Sequence, residues 1–186
     1  MKKRTLALIL ALVLVFGAAV GGTIAYLTSN DSVTNTFTVG KVDITLDEAQ
    51  VNEYGAAVTP AARVDANTYK LIPGHTYTKD PIIHVAAGSE DCWLFAKIEN
   101  NLGTAATLTM GTGWTEIDST NHVWAYNTKV SAGANVTVFT QFTFSKDVTA
   151  TQLPGYDGKT IVVTACAVQA DGLDQTAAAA QAKFSA

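Results

Sequence analysis

The sequence predicts an all-β fold: a jelly-roll-like β-sandwich with a short C-terminal helix, preceded by a cleaved signal peptide. Three observations predict it. Thr, Val, Ala and Gly set the composition, and only 15% of residues are charged, a balance that favours strands over helices. Short stretches of alternating apolar and polar residues recur, separated by turns rich in Gly and Pro. Residues 1–25 read as an export segment.

In that segment Lys2-Lys3-Arg4 is a positive start, and Thr5 to Val20 is an apolar run. Thr23 and Ala25 are the small residues of a small-x-small exit, so the cut is expected between Ala25 and Tyr26. An uncleaved anchor is the competing reading, but the run is marginal for spanning a bilayer, and its Gly and Ala content favours cleavage. The rest, residues 26–186, reads as one domain.

Along that domain, Phe37 to Val39 and Val42 to Asp47 alternate as half-buried strands do, with Gly40 as a bulge or close approach. Residues 48–68 lack periodicity and read as a loop, with a short hairpin around Tyr54-Gly55. Leu71-Ile72-Pro73-Gly74 is a turn. Thr76 to Val85 is extended, with Pro81 arguing for an edge or a strand start. Cys92 to Glu99 places Cys92, Leu94, Ala96 and Ile98 on a core face and Trp93, Phe95, Lys97 and Glu99 opposite. Asn100 to Gly103 is a further turn, and Gly111-Thr112-Gly113 reads as a hairpin end. Trp114 to Ile117 and His122 to Tyr126 flank a four-residue hairpin loop. Asn135 to Phe144 and Thr160 to Gln169 are strands, with Leu153 to Gly158 a turn-rich loop. Asp174 to Phe184 is the one expected helix, with Asp174 as N-cap and four consecutive Ala residues.

The net charge is −4, and losing Lys2, Lys3 and Arg4 takes it to −7. That acidity argues against nucleic acid and against an anionic membrane surface as partners; membrane contact is expected only during export. Export permits a Cys92–Cys166 disulfide; two separate buried thiols are the other reading.

No catalytic or metal-binding motif stands out, and no cofactor is implied. His75, His84 and His122 lack His-Glu-x-x-His spacing, and Ser131 and Ser145 lack a nucleophile elbow. Asp43, Asp47 and Glu48, or Asp171 and Asp174, read as solvated carboxylates rather than calcium ligands. Trp93, Trp114, Trp124 and Tyr126 read as packing, with a glycan platform as the sharper alternative.

Several stretches together resemble one family. Gly21-Gly22-Thr23-Ile24-Ala25-Tyr26-Leu27-Thr28 is similar to the export segment cut by SipW-type signal peptidases, although its acidic residue comes late, at Asp31. Asn35 to Ile44, Leu71 to Pro81, Glu99-Asn100 and Val163 to Ala170 resemble, in order, elements of the TasA/camelysin group of Gram-positive bacteria. The resemblance implies a jelly-roll domain, export to the matrix or cell surface, and for the TasA branch assembly into biofilm fibres. The partners it implies are other copies of the chain, head to tail, a signal peptidase, and paralogous matrix subunits. It further implies a donor strand at 26–37 that completes a neighbour's sheet, with Leu27, Val33 and Phe37 as anchoring side chains. The camelysin branch is classed as metallopeptidases, so three expectations follow: a structural fibre subunit, a secreted adhesin or binding module, and a metal-dependent peptidase.

Overall fold

The computed structural model describes residues 3–27 and 40–184, in two compact units, 1–38 and 39–186. The first unit contains one helix, α1 (Lys3–Leu27). Its Leu-, Ala- and Val-rich run holds good helix formers, and Leu6 to Phe16 present large apolar side chains to solvent. Among the described residues no helix is long and apolar enough to cross a membrane.

The second unit holds eleven strands: β1 (Ile44–Ala49), β2 (Arg63–Val64), β3 (Thr76–Thr78), β4 (Ile82–Val85), β5 (Cys92–Asn100), β6 (Ala106–Met110), β7 (Trp114–Asp118), β8 (Val123–Tyr126), β9 (Asn135–Thr137), β10 (Phe139–Phe144) and β11 (Ile161–Gln169). A second helix, α2 (Gln175–Gln181), follows. The strands form three antiparallel sheets, ordered β2-β1-β4-β9, β3-β10-β6 and β11-β5-β8-β7. The fold is therefore all-β, as the composition predicts.

The first two sheets are continuous. The chain passes from β3 to β4 through Lys79-Asp80-Pro81, and from β9 to β10 through Val138. The Val138 amide donates to the Pro81 carbonyl (2.9 Å) and the Lys79 amide to the Thr140 carbonyl (3.3 Å), so the pairing survives the bend. Pro81 has no amide to lose there, which suits it to the corner.

Apolar residues from these sheets share a core. Ile83, Val85, Cys92, Leu94, Ala96, Ile98, Val138 and Phe139 are all buried in it. A second cluster gathers Tyr77, Phe142, Phe144, Leu102 and Val148. The predicted core face of β5 is borne out. The opposite face differs from expectation, because Phe95 is also fully buried. The reason is α2, whose Ala178 packs with Phe95 and Ala125 and covers the outer side of β5. This helix is capped as expected, with Asp174 Oδ1 accepting from the Ala177 amide (2.8 Å), but it ends at Gln181 rather than Phe184, where Ala182 turns extended.

Four further expectations are adjusted. β1 extends to Ala49, into the expected loop. β6 was hidden by its mild Ala-Thr-Leu-Thr-Met pattern, and its pairing with β10 holds it extended. β8 starts at Val123, because His122 takes a left-handed φ of 56°. Gly111 to Gly113 is not a hairpin end; it links β6 and β7, which lie in different sheets. The hairpin at Tyr54-Gly55 is present, with the Asn52 amide donating to the Ala56 carbonyl (2.9 Å) and Gly55 at φ 77°.

The inter-sheet link leaves no room at Gly111. A Cβ there would stand 2.5 Å from the Thr137 carbonyl oxygen. Gly111→Ala is expected to cost about 1–3 kcal/mol, seen as a lower urea midpoint at unchanged slope; a wild-type midpoint would show that the link is loose.

Candidate functional site

The distinctive feature of the β unit is an open edge between its sheets. β11 pairs with β5 along all nine of its residues and, among the described residues, with no other strand. β1 pairs with β4 along Ile44 to Asp47, and on its other side, among the described residues, meets only the two residues of β2, at Glu48 and Ala49. Two strand edges thus carry no strand partner among the described residues along one side of the β unit. Inward-facing Ile44 and Leu46 of β1, and Ile161, Val163, Ala165 and Ala167 of β11, pack against the core but stay only partly buried. A pocket of about 1090 Å³ opens at one end of this side, walled by Leu46 and by Ile161 to Val163. A smaller one of about 480 Å³ lies at the other end, against Val42, Ala167 and Gln169.

The two edges are built differently. β11 reads Ile-Val-Val-Thr-Ala-Cys-Ala-Val-Gln, with no charge, no Pro and no bulge. Those are the devices by which sheet edges normally discourage pairing. The end of β1 is instead held by polar contacts. Arg63 of β2 donates from Nε to Asp47 Oδ1 (2.7 Å) and from Nη1 to Asp80 Oδ2 (3.0 Å). Asn67 Oδ1 accepts from the Val51 amide (2.9 Å), and its Nδ2 donates to the Ala49 carbonyl (2.8 Å).

Glu48 corrects the reading of it as a solvated carboxylate. It continues the inward row of Ile44 and Leu46 and is only 3% exposed. Its charge is met by the Lys79 ammonium and by Asn67 Nδ2 (3.1 Å). Removing one partner of such a pair typically costs about 3–5 kcal/mol, because the other charge is left buried alone. Asp47 is likewise engaged rather than free: burial pushes its pKa up, but hydrogen bonds from His84 and Arg63 outweigh burial and bring it below the ordinary value.

The other sequence-marked residues are scattered. Thr23, Ala25 and Tyr26 lie on α1 and Leu27 ends it, whereas Val33, Phe37 and most of the expected donor strand at 26–37 fall outside the described residues. Cys92 and Cys166 do not form a disulfide. They sit on opposite faces of one sheet: Cys92 in the main core, Cys166 in the cluster beneath α2. Burial, with Asp91 alongside, pushes the Cys92 thiol up to about 11, which makes it a poor nucleophile at neutral pH. The tryptophans make no common platform. Trp93 Nε1 donates to the Leu173 carbonyl (3.1 Å), and Trp114 Nε1 donates to the Thr137 carbonyl (2.9 Å). Among the described residues no three His, Cys, Asp or Glu side chains gather to hold a metal.

His84 is bracketed by acceptors, Asp47 Oδ1 at Nε2 (2.9 Å) and Asn135 Oδ1 at Nδ1 (2.7 Å). The hydrogen bond to Asp47 is the main reason its pKa lies above 6.5. A raised folded-state pKa contributes stability that is complete below the unfolded value and is lost as pH rises through the folded one. The thermal midpoint is therefore expected to fall between about pH 6 and about pH 8, and to fall less in His84→Gln. Equal slopes in the two proteins would contradict this assignment.

No protein-family model, curated protein or solved structure matches the chain, so its functional reading rests on the open β1–β11 side.

Proposed function

We propose that this chain is an exported structural subunit that assembles into extracellular or cell-surface fibres, each copy accepting an extended strand from the next. One observation carries the reading: a nine-residue, uncharged edge strand that no further strand covers among the described residues, beside a half-buried apolar row. Such an edge is a template for main-chain pairing, and an added strand gains both hydrogen bonds and side-chain seats.

The resemblance to the TasA/camelysin group names the donor. Cleavage after Ala25 would free an arm from Tyr26 to Phe37, whose Leu27, Val33 and Phe37 supply apolar side chains. A strand added to β11 enlarges the β11-β5-β8-β7 sheet to five members. The chain also passes repeatedly between this sheet and the other two, at β4–β5, β5–β6, β6–β7, β8–β9 and β10–β11. That alternation supports the jelly-roll reading. Head-to-tail exchange does not close on itself, so it yields filaments rather than a dimer.

Deleting Tyr26 to Asn35 from the exported protein is expected to leave a folded monomer that forms no fibres by electron microscopy. Fibres like those of the wild type from that deletion would overturn the donor-arm reading.

A further inference from the structure

The larger pocket stands where β11 begins, between the main core and the second cluster. Leu46, Phe142, Ile161 and Val163 wall it from the strands, and Tyr69, Leu153 and Tyr156 come from the loops around it. The aromatic rings are fixed in place. Tyr69 meets Phe142 edge to face at 5.2 Å, and Tyr156 meets Phe144 in the same way at 5.3 Å. The Tyr69 hydroxyl donates to the Thr78 carbonyl (3.0 Å), and burial first, then Glu48 and Asp80, raises its pKa, so the ring stays neutral. Protein interiors are otherwise filled to the density of organic crystals, and an apolar wall facing a void loses its dispersion partners.

Two observations say what fits there. Ile161 to Val163 belong both to the pocket wall and to the edge of β11 that has no strand partner among the described residues. A guest at this place therefore lies beside main-chain donors and acceptors, which an extended polypeptide satisfies and a lipid tail does not. Of the charged groups at the wall, Asp47, Glu48 and Lys79 are already engaged in ion pairs, and Glu53, Asp65, Lys70, Asp157 and Lys159 stand on the loops rather than on the strands. On the strand side, Leu46, Ile161 and Val163 with Phe142 and the Tyr69 ring packed on it make an apolar, aromatic seat, and aromatic rings gain from edge-to-face partners beyond the area they bury.

We propose that this pocket is the anchoring socket for a bulky aromatic side chain carried by the inserting strand of a second copy, and that it sets the register of insertion. The proposal rests on the strand-acceptor reading above. Side chains alternate along a strand, so seating one ring decides which face of every other residue turns inward. The volume is enough for that ring together with several residues of backbone.

The test uses the full exported chain and fills the socket from its own wall. Val163→Trp fills it from β11 and Leu153→Trp from the loop, leaving the β11 backbone unaltered. Both are expected to keep the circular dichroism of the wild type and to slow assembly, followed by light scattering, at least about tenfold, equivalent to about 1.4 kcal/mol. Free indole at millimolar concentration should bind the wild-type monomer saturably and delay its assembly. A wild type that never assembles overturns the acceptor reading and the socket with it. Assembly of both folded variants at the wild-type rate, or saturable indole binding with no delay, overturns the socket and leaves the acceptor reading standing. If the variants misfold, the indole measurement decides alone.

Discussion

A strand edge presents main-chain donors and acceptors that must find partners, in water or in another chain, and among the described residues one whole side of the nine residues of β11 is in that condition. Much of the architecture can be read as a consequence. The β5 side of β11 is paired without a break, from Ile161 against Asn100 to Gln169 against Cys92. Its outer face is braced by α2, with Val168 and Cys166 beneath Ala178 and Ala179. Among the described residues, its edge and its inward apolar row are left incompletely covered. The strand is held in register against β5, and the cost of ordering it has been met before any partner arrives.

The opposite wall shows that the chain can protect an edge where it needs to. Arg63 ties β2 to Asp47 and Asp80, and Asn67 caps the end of β1 through Ala49 and Val51. These contacts confine the free part of β1 to its first residues. The buried Glu48–Lys79 pair sits at the same end, where it marks the limit of the apolar row. A buried ion pair adds little net stability, but it disfavours alternatives in which either charge loses its partner. Here it separates the part of the wall that is closed from the part that is open.

How much of this was legible in the sequence differs from element to element. The alternation of β5 is readable because Cys92, Leu94, Ala96 and Ile98 fall at every second position. The helix at Asp174 was readable because Ala runs and an Asp cap are local signals. The burial of Phe95 was not, since it depends on where that helix docks. Neither was the fate of the cysteines: residue spacing cannot say that Cys92 and Cys166 lie on adjacent strands yet face opposite ways. Glu48 looked like any surface carboxylate, because its partner Lys79 is 31 positions away. The open edge itself could not be read from the residues of β11, whose Val- and Ala-rich run suits a central strand as well as an edge. It becomes visible only in the strand order.

The decisive observable is the protection of the β11 amides. Residue-resolved hydrogen exchange across Ile161 to Gln169 compares the processed monomer with the assembled material. The account predicts that amides pointing away from β5 exchange rapidly in the monomer and become protected on assembly. If those amides are equally protected before assembly, or remain fast within fibres, the free edge is not where copies join.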